Sequence, residues 1–134
     1  MTITIDKQEV LEDIKREAEY AAAKGGDYDH QRIIDADDEL LHRWVSDACA
    51  AIVAELGDVI SEAMTAGGVW TANTTHDNGN ETHANVCAQS FVEQRVLAEW
   101  TLLCNQAERA QVYATKATEK LAELKKVAYQ RIIP

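Results

Sequence analysis

Residues that interrupt or cross-link a chain are scarce in this sequence. It has one proline, at its C-terminal end, and six glycines, so little interrupts regular secondary structure. Its three cysteines are widely spaced and include no Cys-x-x-Cys pair, which argues against a disulfide framework. The apolar helical patterns around Cys49 and Cys104 instead predict buried, reduced thiols.

Long apolar runs and targeting signals are also missing. No stretch approaches the roughly 20 apolar residues of a membrane-spanning helix. The first residues, MTITIDKQEV, lack the basic start and apolar core of a secretory signal peptide. We therefore expect a cytosolic protein, in which the glycosylation patterns at Asn73 and Asn80 are chance matches.

Nucleophile and nucleotide-binding motifs are absent as well. The sequence contains no Gly-x-Ser-x-Gly, no P-loop and no Gly-x-Gly-x-x-Gly. It therefore predicts no catalytic residue, no bound cofactor and no enzyme activity.

Acidic side chains outnumber basic ones, and the charge is unevenly spread along the chain. The net charge is −10; residues 1–66 contain 16 acidic and 6 basic side chains, and residues 67–134 contain 7 of each. An acidic surface disfavours nucleic-acid binding as the main function, because phosphate is repelled. Two interpretations of this asymmetry are equally supported. In one, copies of the protein stack with the acidic half of one copy against the basic last helix of the next; in the other, the charges merely match the helix dipoles.

Apolar residues recur at helical spacing over most of the chain. Asp6 and Glu9 form a capping-box pattern that predicts the first helix start, and NQAE at 105–108 predicts a break before the last helix. The apolar stripe of the second helix continues past Gly57. A length of 134 residues fits one domain. The sequence therefore predicts a single all-α domain spanning 1–134, a four-helix bundle with helices at about 7–24, 36–65, 84–104 and 106–131.

The segment VWTANTTHDNGNETHANVC is the one part that does not look helical. Val69 to about Thr75 suits a short strand, and Asn78-Gly79 favours a two-residue turn. We therefore predict a hairpin or loop at about 68–83, between the second and third helices. Trp70 is the tryptophan expected to reach outward or to fasten this hairpin down.

Two metal-site hypotheses are weak. The predicted turn would place His76, Glu81 and His83 on one face, but a structural zinc site usually takes four Cys or His ligands, and Cys87 lies too far along to complete the set. Glu39 and His42 have the Glu-x-x-His spacing of di-metal carboxylate bundles, but the second such motif is absent. The sequence therefore predicts no metal ligands.

Two helical runs carry a resemblance to a known family. DADDELLHRWVSDACAAIVAEL is similar to the opening of head–tail connector (adaptor) proteins of tailed bacteriophages. FVEQRVLAEWTLLCNQAERAQVYATKATEKLAELKKVAYQR resembles small structural proteins in phages and prophages of gut Bacteroidales, through Ala98 and Trp100, Tyr113-Ala114, and Tyr129 with Arg131. The resemblance covers roughly residues 35–131.

The resemblance implies a connector-like virion protein without enzyme activity, located in the virion and, during assembly, in the host cytoplasm. Copies would form a ring between the portal protein and the tail or stopper proteins, with DNA passing through the channel and no membrane contact. The alternative is a cytosolic helical-bundle binding or regulatory module. The residues predicted to contact neighbouring subunits are Trp70, His76, Asn78, Glu81, His83, Lys116, Lys120, Lys125, Lys126, Arg131, Asp35, Asp37 and Asp38.

Overall fold

The computed structural model describes residues 1–25, 38–76 and 79–130, with the backbone alone for 19–25. Within them the chain runs through the following elements: β1 (Thr2–Asp6), α1 (Lys7–Gly25), α2 (Asp38–Glu55), β2 (Ile60–Ala66), β3 (Val69–Thr74), α3 (Glu81–Leu103) and α4 (Ala107–Tyr129). The prediction of an all-α bundle is therefore wrong. The described part of the protein is mixed α/β, with four helices and a three-stranded antiparallel sheet.

The sheet has the strand order β1-β3-β2, with β3 in the centre. In β1, Ile3 and Ile5 are buried and alternate with threonines, which is the period of a strand with one covered face. The sequence prediction includes no strand at these residues, although the alternation is visible. The partner of Ile5 is Trp70, so the pairing that stabilises the strand is remote in sequence.

Strand β2 replaces the end of the predicted second helix. Helix α2 ends at Glu55, and a turn containing Gly57 leads into Ile60–Ala66. The apolar spacing through Val59 and Ala63 matched a helix, but Ala63 is exposed and pairs with β3. Glycine is a poor helix former, and hairpin pairing with β3 decided the structure of the residues after it.

The hairpin turn lies at Gly67-Gly68 and not at the predicted Asn78-Gly79. Both glycines have positive φ, 61° and 79°, as a two-residue type I′ turn requires. The predicted pairing of His76 with Glu81 is wrong because Glu81 begins α3, and Asn78 lies outside the described residues. The prediction of a strand from Val69 is confirmed.

A helix begins at each of the two capping patterns in the sequence, but only the first helix has the expected side-chain cap. Asp6 Oδ1 accepts hydrogen bonds from the backbone amides of Gln8 and Glu9, at 3.1 and 3.2 Å, so this N-cap is confirmed. Helix α4 begins at Ala107 without a side-chain capping bond. The break before it depends instead on Asn105, whose φ of 61° is left-handed, a conformation that asparagine tolerates.

Helix α3 lies at the centre of the core. It contacts α1, α2, α4 and β1, so apolar side chains are buried on several of its sides. Its buried residues are Ala84, Cys87, Ala88, Phe91, Val92, Val96, Leu97, Trp100 and Thr101. Among the described residues, no helix has both the length and the apolar character that a membrane span requires.

We expect Gly68→Ala to destabilise the fold by about 1–2 kcal/mol, because an alanine in the left-handed region brings Cβ against the backbone. The cost is conformational, since a Cβ on Gly68 would meet no atom within 4 Å. Gly57→Ala is the matched control: its Cβ would make ordinary contacts of 3.5 and 3.8 Å, so we expect no loss. Urea denaturation measures both free energies of unfolding, and equal losses would contradict the turn assignment.

Candidate functional site

The predicted contact residues of the hairpin segment occupy different environments. Trp70 is 5% exposed and belongs to the core, so it fastens β3 down and offers little surface to a neighbour. The backbone carbonyl of His76 accepts a hydrogen bond from the N-terminal ammonium of Met1 at 3.3 Å. Glu81 and His83 lie in the first turn of α3 and are exposed. The structure therefore does not bring these residues together as one surface.

The predicted charged contacts are divided between in-chain ion pairs and exposed positions. Asp38 pairs with Lys15 at 2.6 Å, Lys125 with Glu55 at 3.3 Å, and Lys120 with Glu123 at 3.6 Å. Lys116 and Lys126 are exposed on α4. The predictions for Asp35, Asp37 and Arg131 fall outside the described residues.

The β1 edge of the sheet is closed by side chains from α3. The Thr4 amide donates to Asn85 Oδ1 at 2.6 Å, and the Thr2 amide donates to Glu81 Oε2 at 3.5 Å. These are the outward-pointing donors of an edge strand, which would otherwise be open to another chain. Glu81 thus blocks an edge within its own molecule.

Within residues 1–25, 38–76 and 79–130, no segment pairs with the outer edge of β2. Every residue from Ser61 to Ala66 is exposed, on both faces of the sheet. Ala63 and Thr65 pair with the buried Ala72 and Trp70, so they point to the same face as the core but extend past the helices that cover it. Met64, on the opposite face, is 52% exposed. In the described part of the chain, the strand therefore projects beyond the helical layer with its edge unpaired and both faces exposed.

A second cluster joins the start of α3 to the end of α4. His83 and Cys87 are four residues apart and share a face of α3, and Glu123 reaches them from α4. His83 Nε2 lies 3.1 Å from Glu123 Oε1 and 3.7 Å from Cys87 Sγ. All three potential ligand atoms lie within 4.8 Å of one another, which is close enough to hold one metal ion.

This cluster does not have the order of a catalytic triad. In a triad, nucleophile and acid contact opposite nitrogens of the histidine, whereas Cys87 and Glu123 both approach Nε2. Burial, followed by the Glu123 carboxylate, raises the pKa of the Cys87 thiol, and Lys120 lowers it. A protonated thiol is a poor nucleophile, so the arrangement does not favour covalent catalysis.

The metal-site hypothesis drawn from the sequence groups different residues around His83. That hypothesis combines His83 with His76 and Glu81 through a strand pairing that Glu81 does not make, because it begins α3, and it leaves Cys87 out as too distant. The His-x-x-x-Cys spacing on a helix was the available signal, whereas Glu123 is far away in sequence. Glu39 and His42 are exposed on α2 and do not belong to the one metal-ligating group that occurs among the described residues.

A carboxylate pair joins α1 to α3. The Gln89 amide donates to Glu93 Oε1 at 3.3 Å and to Asp13 Oδ2 at 3.4 Å. Burial raises the pKa of Glu93 to about 7; the Gln89 hydrogen bond opposes this shift, and the Asp13 and Glu17 carboxylates add to it. Near neutral pH, Glu93 therefore carries a proton about half of the time.

No protein-family model, no curated protein and no solved structure matches this chain. Its class is therefore described by the fold: a small α/β protein with one closed and one open sheet edge.

We expect Glu93→Gln to stabilise the protein at pH 8 and to have little effect at pH 5. The folded state binds more protons than the unfolded state between pH 4.5 and about 7, so ionisation of Glu93 lowers stability as the pH rises. The gain at pH 8 should be on the order of 1 kcal/mol, less than the full pKa shift implies, because the side chain is partly solvated.

Thermal unfolding at the two pH values measures this difference. Glu99→Gln is the matched control, since Glu99 is exposed on the same helix. A gain from Glu93→Gln that is equal at pH 5 and pH 8 would contradict the assignment.

Proposed function

We propose that this chain is a non-enzymatic virion structural protein, a head–tail connector that forms a ring between the portal and tail proteins of a tailed bacteriophage. The observation that carries the proposal is the open β2 strand. A projecting strand with an uncovered edge is a surface that folded proteins normally protect, and contact with a neighbouring subunit would cover it.

The two sheet edges differ in a way that favours a directional contact. Side chains of α3 accept hydrogen bonds from the outward amides of β1. The β1 edge of one copy is therefore not free to pair with the β2 edge of the next copy. Two β2 edges pairing with each other would be an isologous contact and would give a dimer. A ring requires β2 to meet a different surface of the next copy.

Charge supports α4 as that different surface. Asp58 and Glu62 are exposed beside and on β2, and Lys116 and Lys126 are exposed on α4. If the acidic β2 strand of one copy faces the basic α4 helix of the next, the contact is heterologous. Added salt screens the charges and weakens the binding between copies. The overall charge of −10 would also let DNA slide through a ring without adhering to its wall.

A binding module that accepts a strand from an unrelated protein at β2 is the second candidate, because edge addition also serves peptide recognition. It uses the same edge but does not require copies of the chain to contact one another. Oligomeric state therefore separates the two functions.

Ala63→Pro tests the edge. In a two-residue hairpin whose closing pair is Ala66 and Val69, the backbone amide of residue 63 points away from β3. Proline there removes an outward donor and spares the β2–β3 ladder. We expect this variant to fold but to assemble at least ten-fold more weakly, whereas the control Ala63→Val assembles normally.

Light scattering and electron microscopy of the protein, alone and mixed with a phage portal protein, give the stoichiometry of any assembly. Rings of cyclic symmetry that are lost in Ala63→Pro and in Lys126→Glu support the proposal. A protein that remains monomeric with the portal protein contradicts it, and so does a two-fold dimer.

A further inference from the structure

We propose that His83, Cys87 and Glu123 form a zinc-binding site that clamps the start of α3 to the end of α4. The inference is independent of the connector function, because it rests on side chains away from β2.

Two of the three separations between ligand atoms are close to those of a zinc coordination sphere, and the third is within 4.8 Å. With Zn–N of about 2.0–2.1 Å and Zn–S of about 2.3 Å, adjacent ligand atoms of a tetrahedral site lie roughly 3.3–3.6 Å apart. The observed separations are 3.1 Å between His83 Nε2 and Glu123 Oε1, and 3.7 Å between His83 Nε2 and Cys87 Sγ. Small side-chain rotations would therefore seat the ion.

The chemical types of the three ligand atoms indicate which class of metal the site would bind. One thiol, one imidazole and one carboxylate suit Zn²⁺ and neighbouring transition metals, whereas Mg²⁺ and Ca²⁺ take oxygen ligands. The thiol must lose its proton to the solvent when the metal binds. A water molecule would complete the four-coordinate sphere on the solvent side, where His83 and Glu123 are 52% and 42% exposed.

Neighbouring contacts hold the ligands in place. Lys120 Nζ lies 3.6 Å from Glu123 Oε2, which leaves Oε1 directed at His83. Asn80 Nδ2 donates to Gln130 Oε1 at 3.2 Å, so the two helix ends are joined beside the cluster. Outer contacts of this kind orient metal ligands and contribute to affinity.

The test uses the full chain, kept reduced and freed of metal with a chelator, then titrated with Zn²⁺ or Co²⁺. We expect one Zn²⁺ per chain, a higher melting temperature with Zn²⁺, and a thiolate-to-cobalt charge-transfer band. His83→Gln and Glu123→Gln should weaken Zn²⁺ binding at least ten-fold, and Cys87→Ser should also abolish the cobalt band. Cys104→Ser, outside the cluster, should bind as the unchanged protein does.

Because Cys87 is buried, its variant could fail to fold, so the exposed His83 provides an independent test. Circular dichroism without metal confirms that His83→Gln is folded. The proposal is overturned if the unchanged protein binds no stoichiometric Zn²⁺, if the cobalt complex lacks the thiolate band, or if a folded His83→Gln binds Zn²⁺ as tightly as the unchanged protein.

Discussion

Helix α3 contacts α1, α2, α4 and β1 at once, and the other elements are arranged around that helix. Its buried residues cannot be confined to one stripe, because it has neighbours on several sides. Small residues such as Ala84 and Ala88 permit close approach, while Phe91 and Trp100 fill the larger spaces. Loss of this packing would weaken the attachment of the sheet to the helices, since β1 contacts the helical layer more extensively through α3 than through α1.

The first turns of α3 also decide which surfaces remain open. Glu81 and Asn85 close the β1 edge, and His83 and Cys87 face α4 one turn apart. The β2 strand lies at the other edge of the sheet and extends beyond the helices that bury Ala72 and Trp70. One helix thus protects one edge of the sheet and supplies two ligands of the proposed metal site.

Much of the helical structure was predictable because its signals are local. Asp6 caps α1 as its spacing with Glu9 suggested, and β3 begins at the predicted Val69. Strand β2 was mistaken for helix because Val59 and Ala63 have a spacing that suits either structure. Asn78-Gly79 was preferred over Gly67-Gly68 as the turn, although both pairs permit positive φ; the position of the strand partner decided between them.

Local sequence patterns were enough to place the starts of α1 and α4 and the strand β3, because each depends on neighbours within about one helical turn or on strand alternation. The three-dimensional structure was needed to show that β1 pairs with a strand nearly seventy residues away, that Trp70 is buried, and that Glu123 joins His83 and Cys87. Those features depend on packing between distant segments, where the free energy comes from contacts that no local pattern records.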